Sequence, residues 1–175
     1  MNIRKQARGT AITGAFALAV FASSCSLASS IGPSRHAQRT GRDIVTLVSH
    51  TQIGSTLGLT AAVRGNWTRV YIMGPYQLPE SIDHVLGFSW SLAGDLGTQS
   101  DAGDDLLVFV SGNRVIDYAL VPVKDADFTP YGAQAGYGKG FPRGESYVVV
   151  KPSLPNFIYK RVVPTTLVSM ANGPS

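Results

Sequence analysis

The chain has 175 residues, of which 44% are hydrophobic and 15% charged, the composition of an ordinary globular protein and not of a disordered one. Its net charge of +4 is concentrated at the start: without Arg4, Lys5 and Arg8 the chain holds 12 basic against 11 acidic residues, with no Lys/Arg run and no basic stripe to neutralise phosphates, which excludes the nucleic-acid-binding class. A single cysteine, Cys25, excludes an internal disulfide and any cysteine-built metal site.

Arg4, Lys5 and Arg8 precede an uncharged, mostly apolar run from Ala11 to Ala22, and small residues follow. This cationic, apolar and small-residue order is the layout of a secretory signal, with an apolar run too short to span a bilayer. The segment Phe21-Ala22-Ser23-Ser24-Cys25 then resembles the lipobox of bacterial lipoproteins, with Ala22 where that pattern usually has Leu. The resemblance implies cleavage between Ser24 and Cys25 and diacylglycerol on the Cys25 thiol, two or more acyl chains being needed for stable anchoring. Ser26 resembles the residue that directs such proteins to the outer membrane in hosts with two membranes; in a single-membraned host the destination is the cell surface. The other reading is an ordinary secretory signal cut after Ala28 or Ser29, with Cys25 discarded.

Residues 25–42 are mostly Ser, Gly, Pro and scattered charge without a period, and read as a tether. A globular domain is expected over 43–165 and a flexible tail over 166–175. Ile44, Leu47, Val48, Ile53 and Leu57 recur at spacings near three and four and predict a first helix from Asp43, weakened by Gly54 and Gly58. Trp67 to Met73 predicts a strand that ends at Gly74-Pro75. Pro79 suits a first helical position, with Ile82, Val85 and Leu86 on one face and Gly87 as a left-handed cap. Phe88-Ser89-Trp90 reads as extended, and Ala93 to Gly103 as a polar loop. Leu106–Val110 and Arg114–Val121 flank Ser111-Gly112-Asn113 and predict a β-hairpin. Asp125 to Glu145 is rich in glycine and reads as a long loop, and Tyr147–Val150 and Phe157–Val163 as two final strands. This order predicts an α+β domain with a mainly antiparallel sheet.

The stretch from Trp67 through Val70-Tyr71-Ile72 to Pro75-Tyr76, with the helix after it, Gly87-Phe88-Ser89-Trp90 and the hairpin from Leu107 to Val115, is similar to a pattern found in small uncharacterised bacterial lipoproteins. The similarity covers about Trp67 to Phe128. It implies an envelope address and carries no catalytic residue.

His36, His50 and His84 show no metal-ligand spacing, and Asp83 and His84, about 100° apart on a helix, cannot form a relay. Asp95, Asp101, Asp104 and Asp105 could gather around Ca²⁺, but they lack the EF-hand spacing and read as a solvated turn and a charge-blunted strand entry. Gly136, Gly138 and Gly140 lie outside any strand-to-helix turn and read as flexibility. Trp67, Tyr71, Tyr76, Phe88 and Trp90 could line a groove for a peptide or glycan, although strands enrich aromatics for core packing alone; Tyr76, in a turn, is the candidate ligand-facing residue. These observations lead to a membrane-anchored envelope lipoprotein without metal or cofactor. Its domain is expected to be a non-catalytic binding or assembly module, with the membrane, and an envelope protein or glycan, as partners. The alternative is a secreted enzyme or enzyme inhibitor that uses the Gly-rich and Asp-rich loops.

Overall fold

The structure, a computed structural model, describes residues 34–96, 103–129, 140–151 and 160–165, all of which fall in one compact unit. The expected signal with Ser24 and Cys25, the expected tail 166–175, Asp101, Gly136 and Gly138 lie outside them.

Helix α1 spans Arg35–His50. It begins eight residues before the expected Asp43, so 35–42 are helical and not tether, and it ends well before Leu57. Ser34 caps it, its Oγ accepting from Ala37 N at 3.1 Å. The buried positions of its first half are Ala37, Thr40 and Gly41, residues too small or polar to register as an apolar stripe. Ile53 is exposed, and Leu57 belongs to β1 (Thr56–Leu57).

After a 3₁₀ turn at Leu59–Ala61 come β2 (Arg69–Met73) and α2 (Pro79–Leu86), closed by Gly87 at φ 77°. Both match their prediction, proline at the helix start and left-handed glycine at its end. Phe88-Ser89-Trp90 is not a strand: Trp90 N donates to Asp83 Oδ1 at 2.9 Å, which folds this segment back onto α2 ahead of a 3₁₀ turn at Ala93–Asp95. β3 (Asp104–Ser111) and β4 (Arg114–Pro122) form the expected hairpin. Ser111 pairs with Arg114 and only Gly112 has positive φ, at 57°, the type II′ pattern with glycine first. Within the glycine-rich stretch read as loop lie β5 (Ala126–Asp127) and β6 (Phe141–Pro142). β7 (Tyr147–Val150) and β8 (Lys160–Pro164) follow.

The strands form two sheets, in the orders β1-β7-β8-β5 and β4-β3-β2-β6, antiparallel except for the β5–β8 pair. The β4-β3-β2-β6 sheet is central. One face, with Val70, Ile72, Leu107, Phe109 and Ala119, packs on Leu57, Tyr147, Val149 and Val162 of the other sheet. Its opposite face, with Tyr71, Met73, Leu106 and Val108, is covered by Ile82 and Leu86 of α2 and by Trp90 and Leu96. Alternation along β2 and β3 therefore serves two cores, the reason these strands read as continuous apolar runs.

Helix α1 contributes Ile44 and Val48 to the first core and Ala37 to the second, so it lies along the β4 edge of the central sheet. The approach is close: a Cβ on Gly41 would overlap the Leu120 carbonyl oxygen. A helix laid over an edge strand shields the open backbone groups that would otherwise recruit another chain. At the far end of α1, Lys160 Nζ donates to the carbonyls of Val48, Ser49 and Thr51 at 3.0, 2.8 and 2.6 Å, satisfying acceptors that the helix leaves open and placing a cation at the negative end of its dipole.

Candidate functional site

Three places gather polar chemistry on this frame. The first lies beneath the turn after β2. Asp105 is fully buried; its Oδ2 accepts from Phe128 N at 2.6 Å and its Oδ1 from Thr129 Oγ1 at 2.9 Å. Asp127, also buried, accepts from Thr129 N at 3.0 Å and from Arg161 Nε at 3.2 Å. Loss of water around Asp105, with the neighbouring Asp127 charge adding to it, outweighs these hydrogen bonds and lifts its pKa to about 7. Gly74 sits directly over Thr129, with no space for a side chain, and leads into Pro75 and Tyr76. Tyr76 has φ 63° and is 62% exposed. It is the one described non-glycine residue in the left-handed region, a conformation that costs a bulky residue on the order of 1–2 kcal/mol.

The second place is the start of α1. Asp117 Oδ2 accepts from Thr40 Oγ1 at 3.1 Å and from His36 Nε2 at 3.2 Å, while its Oδ1 accepts from the amide of Tyr118. Ser34 N donates to Tyr118 Oη. His36, expected in a tether, is thus a helical residue clasped to β4, with most of its ring in solvent.

The third is a cleft of about 480 Å³ between α1 and the ends of β3 and β4, bounded by Gln38, Arg42 and Thr46 on one wall and Asp104, Leu120 and Asp125 on the other. The outer face of α1 above it carries Arg35, Arg39 and Arg42, all exposed. Spaced four and three residues apart, they share an arc of about 60°. In an irregular tether, as the sequence suggests for 25–42, these arginines form no stripe; within α1 they do.

The other sequence candidates are dispersed. Asp105 is not part of a solvated turn: its carboxylate turns inward to Phe128 and Thr129, while Asp104, its neighbour on β3, borders the α1 cleft and Asp95 lies in the 3₁₀ turn. Among the described residues no group of three His, Cys, Asp or Glu side chains converges as metal ligands. Trp67, Tyr71 and Trp90 are buried. Trp67 packs edge-on against Phe109 beneath the Arg143 guanidinium, and Trp90 packs edge-on against Tyr118, so these aromatics fill cores and leave Tyr76 as the exposed one of the set. Gly140, read as flexibility, fills a fixed role: at φ 58°, any Cβ would press on Val70 O and the Tyr71 ring. The Asp117 clasp and the Asp105–Asp127 network carry no local signal, since the bonds that build them join residues 23 to 81 positions apart. A scan against protein-family models, a search of curated proteins and a search of solved structures each return no match to this chain.

Proposed function

We infer that this protein is a lipid-anchored component of a bacterial envelope, related in kind to the small uncharacterised lipoproteins its central segment resembles, whose domain binds or organises a partner and performs no chemistry. The observation that carries the reading is the position of the sole cysteine, Cys25, at the end of a leader with a cationic start and a short apolar run. Among the described residues no helix is long and apolar enough to cross a membrane. One structural feature supports the reading. The buried acids Asp105, Asp117 and Asp127 spend their oxygens on amides, hydroxyls and Arg161 that join strands to one another and to α1, which is the work of a scaffold. Tyr76, held exposed in a strained turn, is the candidate contact for an envelope protein or glycan, because strain at a surface position is retained where the side chain has a use.

The test is the intact mass of the protein recovered from a bacterial membrane fraction, beside that of a Cys25→Ala variant. The expected result is a chain starting at Cys25 with a diacylglyceryl group, lost together with membrane partitioning in the variant. A soluble protein starting beyond Cys25 would remove the anchor and favour a freely secreted protein.

A further inference from the structure

We propose that the exposed face of α1 is a docking surface for anionic lipid headgroups, laid against the membrane that the lipid anchor holds nearby; this rests on the anchored reading above. Arg35, Arg39 and Arg42 form a stripe about 10 Å long, from the 1.5 Å rise per residue, on the side of α1 opposite the buried Ala37, Ile44 and Val48. None of the three makes an ion pair among the described residues; Asp43 borders the stripe, and the His36 ring beside it is turned to Asp117. Arginine stays cationic at any physiological pH, and its planar fork matches phosphate oxygens.

Where the stripe lies relative to the anchor gives it an occupant. Nine residue steps separate Cys25 from Ser34, which even fully extended reach only about 30 Å. The first turn of α1 is therefore the part of the domain most tightly confined to the bilayer surface, and the positive stripe starts on that turn. Anionic leaflets attract basic residues that come within a Debye length, about 8–10 Å at ordinary ionic strength. The lipid brings the helix to the surface and the arginines set which face meets it.

The test uses the mature-length chain, residues 25–175 with Cys25→Ser, which holds all the described residues but no acyl chain. It is floated with vesicles of pure phosphatidylcholine and with vesicles containing 30% phosphatidylglycerol, a proportion of about one anionic lipid in three chosen to give a strong surface potential. The expected result is binding to the anionic vesicles only, weakened by raised salt, and reduced on the order of 100-fold in the Arg35→Gln/Arg39→Gln/Arg42→Gln variant, the product of about fivefold for each charge. The circular dichroism of the variant should be unchanged, since all three side chains are exposed. Equal binding to both vesicle types, undiminished binding by the triple variant, or retention of a DNA oligonucleotide with indifference to anionic vesicles would each overturn the proposal. Failure of the anchor would instead show in the mass of the membrane-derived protein and leave the vesicle result standing, so the two failures are distinguishable.

Discussion

Asp105 makes stability depend on pH in an unusual direction. Its carboxyl has an ordinary value of 3.8 and a folded value of about 7, so between about pH 4 and 7 the folded protein holds a proton that the unfolded chain has released, and stability falls as pH rises through that window. Asp105→Asn keeps the size and stays neutral. The melting temperature of the wild type should drop relative to this variant between pH 5 and 8, a differential on the order of 2–4 kcal/mol, and parallel pH profiles would refute the assignment. The Tyr147 hydroxyl is buried near Phe128 and Phe141 and has no hydrogen-bond partner among the described residues. Tyr147→Phe removes an unsatisfied polar atom while keeping the ring, and thermal melts should show a gain of about 1 kcal/mol. Gly41→Ala substitutes the best helix former for one of the worst, yet the new methyl meets the Leu120 carbonyl. A loss of about 1–3 kcal/mol is expected by urea denaturation, opposite in sign to what helix propensity alone predicts.

At the scale of elements, α1 rests on its two ends. Ser34 caps the first, and Lys160, from a strand 109 to 112 residues away in sequence, caps the last. Lys160→Met keeps the aliphatic stem but withdraws all three donors, and should cost about 1–2 kcal/mol. Hydrogen exchange should locate the loss, with amides in the last turn of α1 exchanging faster while those of β3 slow or accelerate only with global stability. The elements legible beforehand were those whose signals are local: the hairpin about Gly112, the helix between Pro79 and Gly87, and the strands rich in Val and Tyr. The start of α1 was not, because Ala37, Thr40 and Gly41 are buried by what they touch on β4 and not by their hydrophobicity. Short β5 and β6 were hidden among glycines for a similar reason, each being defined by a neighbour: Phe141 by Val70, Ala126 by Lys160. Of the candidate site, only Tyr76 could be picked out, from its turn. Asp105 was misplaced because a sequence shows that acids are neighbours without showing which way each one turns.

Across the whole molecule, the central sheet is shared by both cores, and a tryptophan stands in each: Trp67 in one, Trp90 in the other. The variants Trp67→Phe and Trp90→Phe each leave one reporter, and because neither core can open without exposing a face of the same sheet, both fluorescence transitions should coincide with loss of secondary structure. An earlier transition at Trp90 would show that the α2 layer detaches alone. The placement of α1 over the β4 edge has a further bearing on how the chain is assembled. When a polypeptide is delivered to a compartment with its N-terminus leading, α1 arrives before the hairpin does. The cover is then already waiting when β4 emerges, and the strand need never present its open side to a neighbouring copy. Refolding from denaturant loses this head start, because β4 can meet another β4 before it meets its own helix. Threading order would thus do for this fold what a holding chaperone does for others.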